Sequence, residues 1–136
     1  MKKYTHTLVA MVLATAASAH ASAETVVVVG MKNPTSTMSV EQVSQVFLGK
    51  STSHTPIDQD ESNSVRADFY KKATGKDASQ VKAIWSKLVF TGKGTMPKEV
   101  ASSADVKKAV NADPSAIGYI EKAALDGSVK AVLTIQ

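Results

Sequence analysis

The sequence predicts a single α/β domain: a small mixed sheet, of the three-layer type, flanked by helices. Three observations predict it. Residues 25–30 hold four consecutive valines before a glycine, a run that suits a strand buried on both faces. Apolar residues recur at helical spacing in four separate segments, and short strand-like runs fall between and after them. Such alternation argues for a sheet covered by helices.

The segment 1–23 stands apart from this pattern. Lys2 and Lys3 precede an apolar run over residues 8–13, and a small-residue stretch ends at Ala21-Ser22-Ala23. That order is the order of a secretory signal peptide. The apolar run is too short to cross a bilayer, for which about 20 residues are needed. The expectation is a leader over 1–23 and a periplasmic domain over 24–136 that is not inserted in the membrane. The length of the latter suits one domain with one core, so a second lobe would have to come from another chain.

Each element has its own signal. The valine strand is expected at the centre of the sheet. Ser39 opens a helix with Gln42 in the reciprocal capping position; Val40, Val43, Val46 and Phe47 form its inward stripe, and Gly49 ends it. Thr55-Pro56-Ile57 reads as an edge strand, because proline donates no ladder hydrogen bond. Val65, Phe69 and Ala73 lie four apart, which predicts a helix from near Ser62 to Gly75. Asp77 and Gln80 repeat the capping box ahead of Val81, Ile84, Trp85 and Leu88. A glycine loop over residues 90–94 and Pro97 lead to a helix capped near Ser102, with Val106, Ala109 and Val110 inward and Asp113-Pro114 at its end. Residues 117–120 read as a strand, 121–125 as one or two helical turns, and Val129, Ala131, Leu133 and Ile135 as an alternating final strand.

Charge and composition exclude several functions. With the two leader lysines set aside from 16 basic residues, 14 remain against 12 acidic. A surplus of two, from scattered lysines and one arginine, does not make a nucleic-acid groove. Cysteine is absent, which removes thiol catalysis and cysteine-ligated zinc, and His54 is the only histidine beyond the leader. No cofactor is implied, and no nucleophile, base and orienting group can be named together, so the chain does not read as an enzyme.

The sharpest local signal is Asp58-Gln59-Asp60-Glu61-Ser62-Asn63-Ser64 running into a helix. Ser62 could simply cap that helix. Alternatively, the unpaired N–H groups of a helix N-terminus, joined by Ser62, Asn63 and Ser64, could hold an oxyanion with Arg66 as counter-charge. Asp58, Asp60 and Ser62 also alternate like calcium-loop ligands, but Asn63 and Phe69 stand where that loop needs a glycine and a glutamate. Gly92-Lys93-Gly94 lacks the spacing and the following hydroxyl of a phosphate loop. Trp85 and Tyr119 sit in apolar runs and read as core rather than as stacking platforms.

Five blocks together resemble the phosphate ABC transporter substrate-binding proteins, a type II periplasmic binding family. They are Val46-Phe47-Leu48-Gly49-Lys50, Ser62 to Phe69 with Arg66, Trp85, Phe90-Thr91-Gly92-Lys93-Gly94, and Ala116-Ile117-Gly118-Tyr119-Ile120. The resemblance implies a fold like one lobe of that family and non-covalent capture of a small oxyanion, phosphate first. It implies ligand contacts from Ser62, Asn63 and Ser64, with Arg66 replacing the arginine of the family's loop. That arginine's position is Asp58, and the family's two loop glycines are Glu61 and Asn63. A membrane transporter or sensor protein is the implied partner, and a homodimer would supply a second wall. A lobe that keeps the fold as an interaction protein without tight binding is the alternative.

Overall fold

The computed structural model describes residues 24–136, so the leader expected over 1–23 lies outside the described residues. The elements follow the order β1 (Thr25–Gly30), α1 (Val40–Phe47), β2 (Thr55–Gln59), α2 (Ser64–Thr74), α3 (Ala78–Phe90), β3 (Lys98–Val100), α4 (Ser103–Ala112), β4 (Ala116–Glu121) and β5 (Val129–Ile135). A single 3-10 turn, Lys122–Ala124, separates the last two strands. The sheet is mixed, in the order β3-β2-β4-β1-β5. β1 is antiparallel to β4 and β5, whereas β2 is parallel to β4 and β3.

The valine run explains the layers. Val27 and Val29 face one cluster with Phe47 of α1, Phe69 and Tyr70 of α2 and Trp85 of α3. Val26 and Val28 face the other, with Val106 and Val110 of α4. Each buried valine contributes about 1.5–3 kcal/mol of transfer free energy, so strand and helices hold each other. Trp85 and Tyr119 are core residues, as the sequence implied; Phe69 stacks on Tyr119 with centroids 4.0 Å apart, and Trp85 donates to the Phe47 carbonyl at 2.8 Å.

Several expectations change. The middle strand is β4, and β1 lies next to the edge; its complete burial comes from cover on both faces. β2 is internal rather than an edge, and extends to Gln59. Pro56 is tolerated because Thr55 donates towards β4, to the Ser115 carbonyl, so the ring nitrogen of Pro56 faces the other side, where β3 pairs only from Ile57 onward. The edge is β3, a short strand with no legible pattern. Val40 is turned outwards and 43% exposed. Both capping boxes form as read, at Ser39 with Gln42 and at Asp77 with Gln80. Gly75 closes α2 in the left-handed conformation, φ 70°.

The topology gathers strand ends and helix starts at one place. β2, β3 and β4 run parallel, so their carboxyl ends share one end of the sheet. α2 follows β2 and α4 follows β3, and the two helices start there on opposite faces.

Candidate functional site at two helix N-termini

Open α/β sheets bind ligands outside the carboxyl ends of their strands, and that is where this chain has a polar cleft. The cleft measures about 470 Å³ and is lined by Gln59, Ser62, Asn63, Ser64, Ala101, Ser102, Ser103, Ala104 and Glu121. Residues 62–64 bring the first turn of α2 to one side; residues 102–104 bring the first turn of α4 to the other. Each turn presents N–H groups that have no intrahelical acceptor, together with the positive end of a helix dipole. A second cleft adjoins it and shares Ser64 and Glu121, continuing along α2 past Val65, Asp68 and Lys71.

Three of the four residues singled out in the sequence therefore line one cavity, but they do different things. Ser62 is not the helix cap. Its N–H and hydroxyl both donate to Asp60 Oδ1 at 2.9 Å, closing a turn just before α2 begins. Ser79, Ser115 and Ser128 make the same short return to Asp77, Asp113 and Asp126. Asn63 occupies the cap position without a side-chain cap bond; its amide instead donates to Gln59 Oε1 at 3.2 Å and to the Ala101 carbonyl at 2.8 Å. Ser64 opens the helix, and among the described residues its hydroxyl makes no hydrogen bond.

Arg66 stands apart from that lining. It is only 3% exposed, and its guanidinium donates to the Gln59 carbonyl and to Glu99, both at 2.8 Å, with Asp58 at 3.7 Å. Burial works against its charge, but the Glu99 hydrogen bond and the field of Asp58 hold its pKa above the usual guanidinium value.

Asp58, which the sequence placed in the polar loop, is the inward end of β2. It accepts from the hydroxyls of Tyr70 and Tyr119 and from the Gln59 N–H at 2.9 Å. Burial pushes its pKa up against the opposing pull of Tyr119, Tyr70 and Arg66. Burial and the neighbouring carboxylate raise both tyrosines well above the usual phenol range, so they remain donors. The three alternating residues of the calcium reading thus diverge: Asp58 faces the core, while Asp60 and Ser62 satisfy each other.

Two residues escaped the sequence reading. Gln59 is 1% exposed, and its amide donates to Ser103 Oγ at 3.2 Å and to the Tyr119 carbonyl at 2.8 Å while accepting from Asn63. It ties the first turn of α2 to the first turn of α4. Ser103 supplies the second hydroxyl, from a part of the chain remote from Ser64 in sequence. The only sequence signal was the serine pair at 102–103, which reads as a cap, and Ser102 does cap α4 through the Asp105 N–H.

No family model matches the chain, and no curated protein matches it. Solved structures do. An ABC-type phosphate transport receptor from Vibrio cholerae superposes with a TM-score of 0.64 at 21% identity, over 81% of this chain and 47% of its own. A phosphate ABC transporter substrate-binding protein from Clostridium perfringens, solved with bound phosphate, gives 0.64 at 20% identity over 81% and 45%. A possible phosphate binding protein from Planctomyces limnophilus gives 0.58 at 16% over 81% and 41%. This chain spans less than half the length of each of them. The described residues have the fold of a phosphate ABC transporter substrate-binding protein domain, as the five sequence blocks implied.

Proposed function

We propose that this chain is exported, with its leader removed near Glu24, and that it captures a small oxyanion, phosphate first, in the cleft between α2 and α4. The observation that carries this reading is the convergence of residues 62–64 and 102–104 on one cavity. Ser64 and Ser103 donate hydroxyls, the first turns of both helices donate N–H groups, and Asn63 and Gln59 fix the spacing. Ser62 shapes the loop through Asp60, and Arg66 supports the floor through the Gln59 carbonyl. Glu121 makes phosphate the better fit than sulfate, because a lining carboxylate accepts from an anion that still carries a proton and repels one that does not. A second wall, from another copy or from a membrane transporter or sensor, would shield the anion and receive it. No bond is made or broken.

Calorimetric titration of residues 24–136 with phosphate, and with sulfate for comparison, tests this. At about 100-fold excess over Kd, phosphate should add about 2.7 kcal/mol to unfolding stability. Ser64→Ala with Ser103→Ala should weaken binding at least tenfold, from the loss of two donors worth about 1 kcal/mol each. No heat and no stabilisation at millimolar phosphate would reject capture. The pairing of Arg66 with Glu99 and Asp58, which leaves the lining without a guanidinium, favours a second reading: an interaction protein that keeps the fold without tight binding.

A further inference from the structure

Phe90 is 92% exposed, the most uncovered of the large apolar residues among the described ones. It ends α3, with Val89 beside it at 43%, and Met96 follows at 41% beyond the turn at Gly92. Nothing in the fold uses this side chain. The stretch around it is also one-sided in charge: residues 78–98 contain Lys82, Lys87, Lys93 and Lys98 and no acid. Of these, Lys82 is paired with Glu61, and none of the ion pairs among the described residues involves Lys87, Lys93 or Lys98. Lys50 belongs to the same end. A Cβ on Gly49 would meet Leu88 at 2.4 Å, and one on Gly94 would meet Leu88 at 3.5 Å, so both turns fold against one side chain of α3.

We propose that this end of the molecule docks on an anionic lipid surface, with Phe90 entering the headgroup layer and Lys50, Lys87 and Lys93 meeting the phosphates. An exposed aromatic with aliphatic neighbours and a lysine rim is what binding in the interface plane requires. The cations are all lysine, which is depleted at protein interfaces but effective as a diffuse counter-charge to lipid. The acids nearest in sequence are committed elsewhere, Asp77 to the cap of α3 and Glu99 to Arg66.

The test is co-sedimentation of residues 24–136 with vesicles of equal parts phosphatidylglycerol and phosphatidylcholine, against phosphatidylcholine alone, with near-ultraviolet circular dichroism to check the fold of each variant. Binding should need the anionic lipid and weaken with added salt. Phe90→Ser should lower partitioning at least tenfold, and Lys87→Gln or Lys93→Gln about fivefold each, the equivalent of about 1 kcal/mol per surface lysine. Three results would overturn the proposal. They are equal partitioning to both vesicles, anionic binding that survives Phe90→Ser, and a Phe90-dependent self-association in ultracentrifugation without vesicle binding, which would make a second copy the occupant.

Discussion

Asp58 is the residue on which the floor of the cleft depends. A carboxylate taken out of water requires its lone pairs to be met, and Tyr70, Tyr119, the Gln59 N–H and Arg66 meet them. Tyr119 serves twice, since its oxygen also accepts from the Gln59 N–H at 3.1 Å. Tyr119→Phe should therefore cost about 1–3 kcal/mol in urea unfolding, the penalty for leaving a buried acceptor short while the Gln59 N–H keeps its bond to Asp58. It should also weaken any phosphate response, because Gln59 spaces the two helix turns. A change no larger than that of an ordinary surface substitution would show that the carboxylate is satisfied without it.

Among the elements, α4 packs tightly against the sheet, and glycine makes the approach feasible. At Gly118 of β4 an added Cβ would meet the Val106 side chain at 2.5 Å; at Gly30 of β1 it would meet the Val110 carbonyl oxygen at 2.2 Å. Gly118→Ala should cost about 1–3 kcal/mol through overpacking, and Gly30→Ala more, since a helix backbone moves aside less readily than a valine methyl. Urea midpoints at equal slope would rank them. The reverse order would mean that α4 moves as a unit. Because α4 carries Ser103 on its first turn, both changes should also displace that hydroxyl from Ser64 and lower phosphate affinity.

At the scale of the whole molecule, two sets of carboxylates act with opposite sign. Asp60, Asp77, Asp113 and Asp126 are lowered chiefly by serine returns and, at Asp126, first by Lys107; Glu61 is lowered by Lys82. Their contribution is present above the ordinary carboxylate range and is lost as the pH falls through the lowered values. Asp58 is raised by burial, so its contribution is full below the ordinary range and is lost as the pH rises through its raised value. Asp58→Asn removes the second contribution alone. The difference in stability between wild type and Asp58→Asn, followed by urea unfolding against pH, should therefore shrink as the pH rises above about 4. A difference that grew would mean that the tyrosines and Arg66 outweigh burial.

The four valines of β1, the capping pairs Ser39 with Gln42 and Asp77 with Gln80, and Gly75 were legible because each acts through its own neighbours. Local periodicity and local capping were enough to give an α/β layer structure, and they placed the start of α2 near Ser62, two residues before Ser64, where it begins. What the neighbours could not show was strand order: Pro56 looks like an edge signal until β3, with no pattern of its own, is found pairing only beyond it. The partners of Asp58, Gln59 and Arg66 were hidden for the same reason, since Tyr119 and Glu99 are distant in sequence and reach them only through the sheet. The site itself is a tertiary object. Two helix N-termini converge because parallel strands share a carboxyl end, and no stretch of sequence around Ser64 contains Ser103.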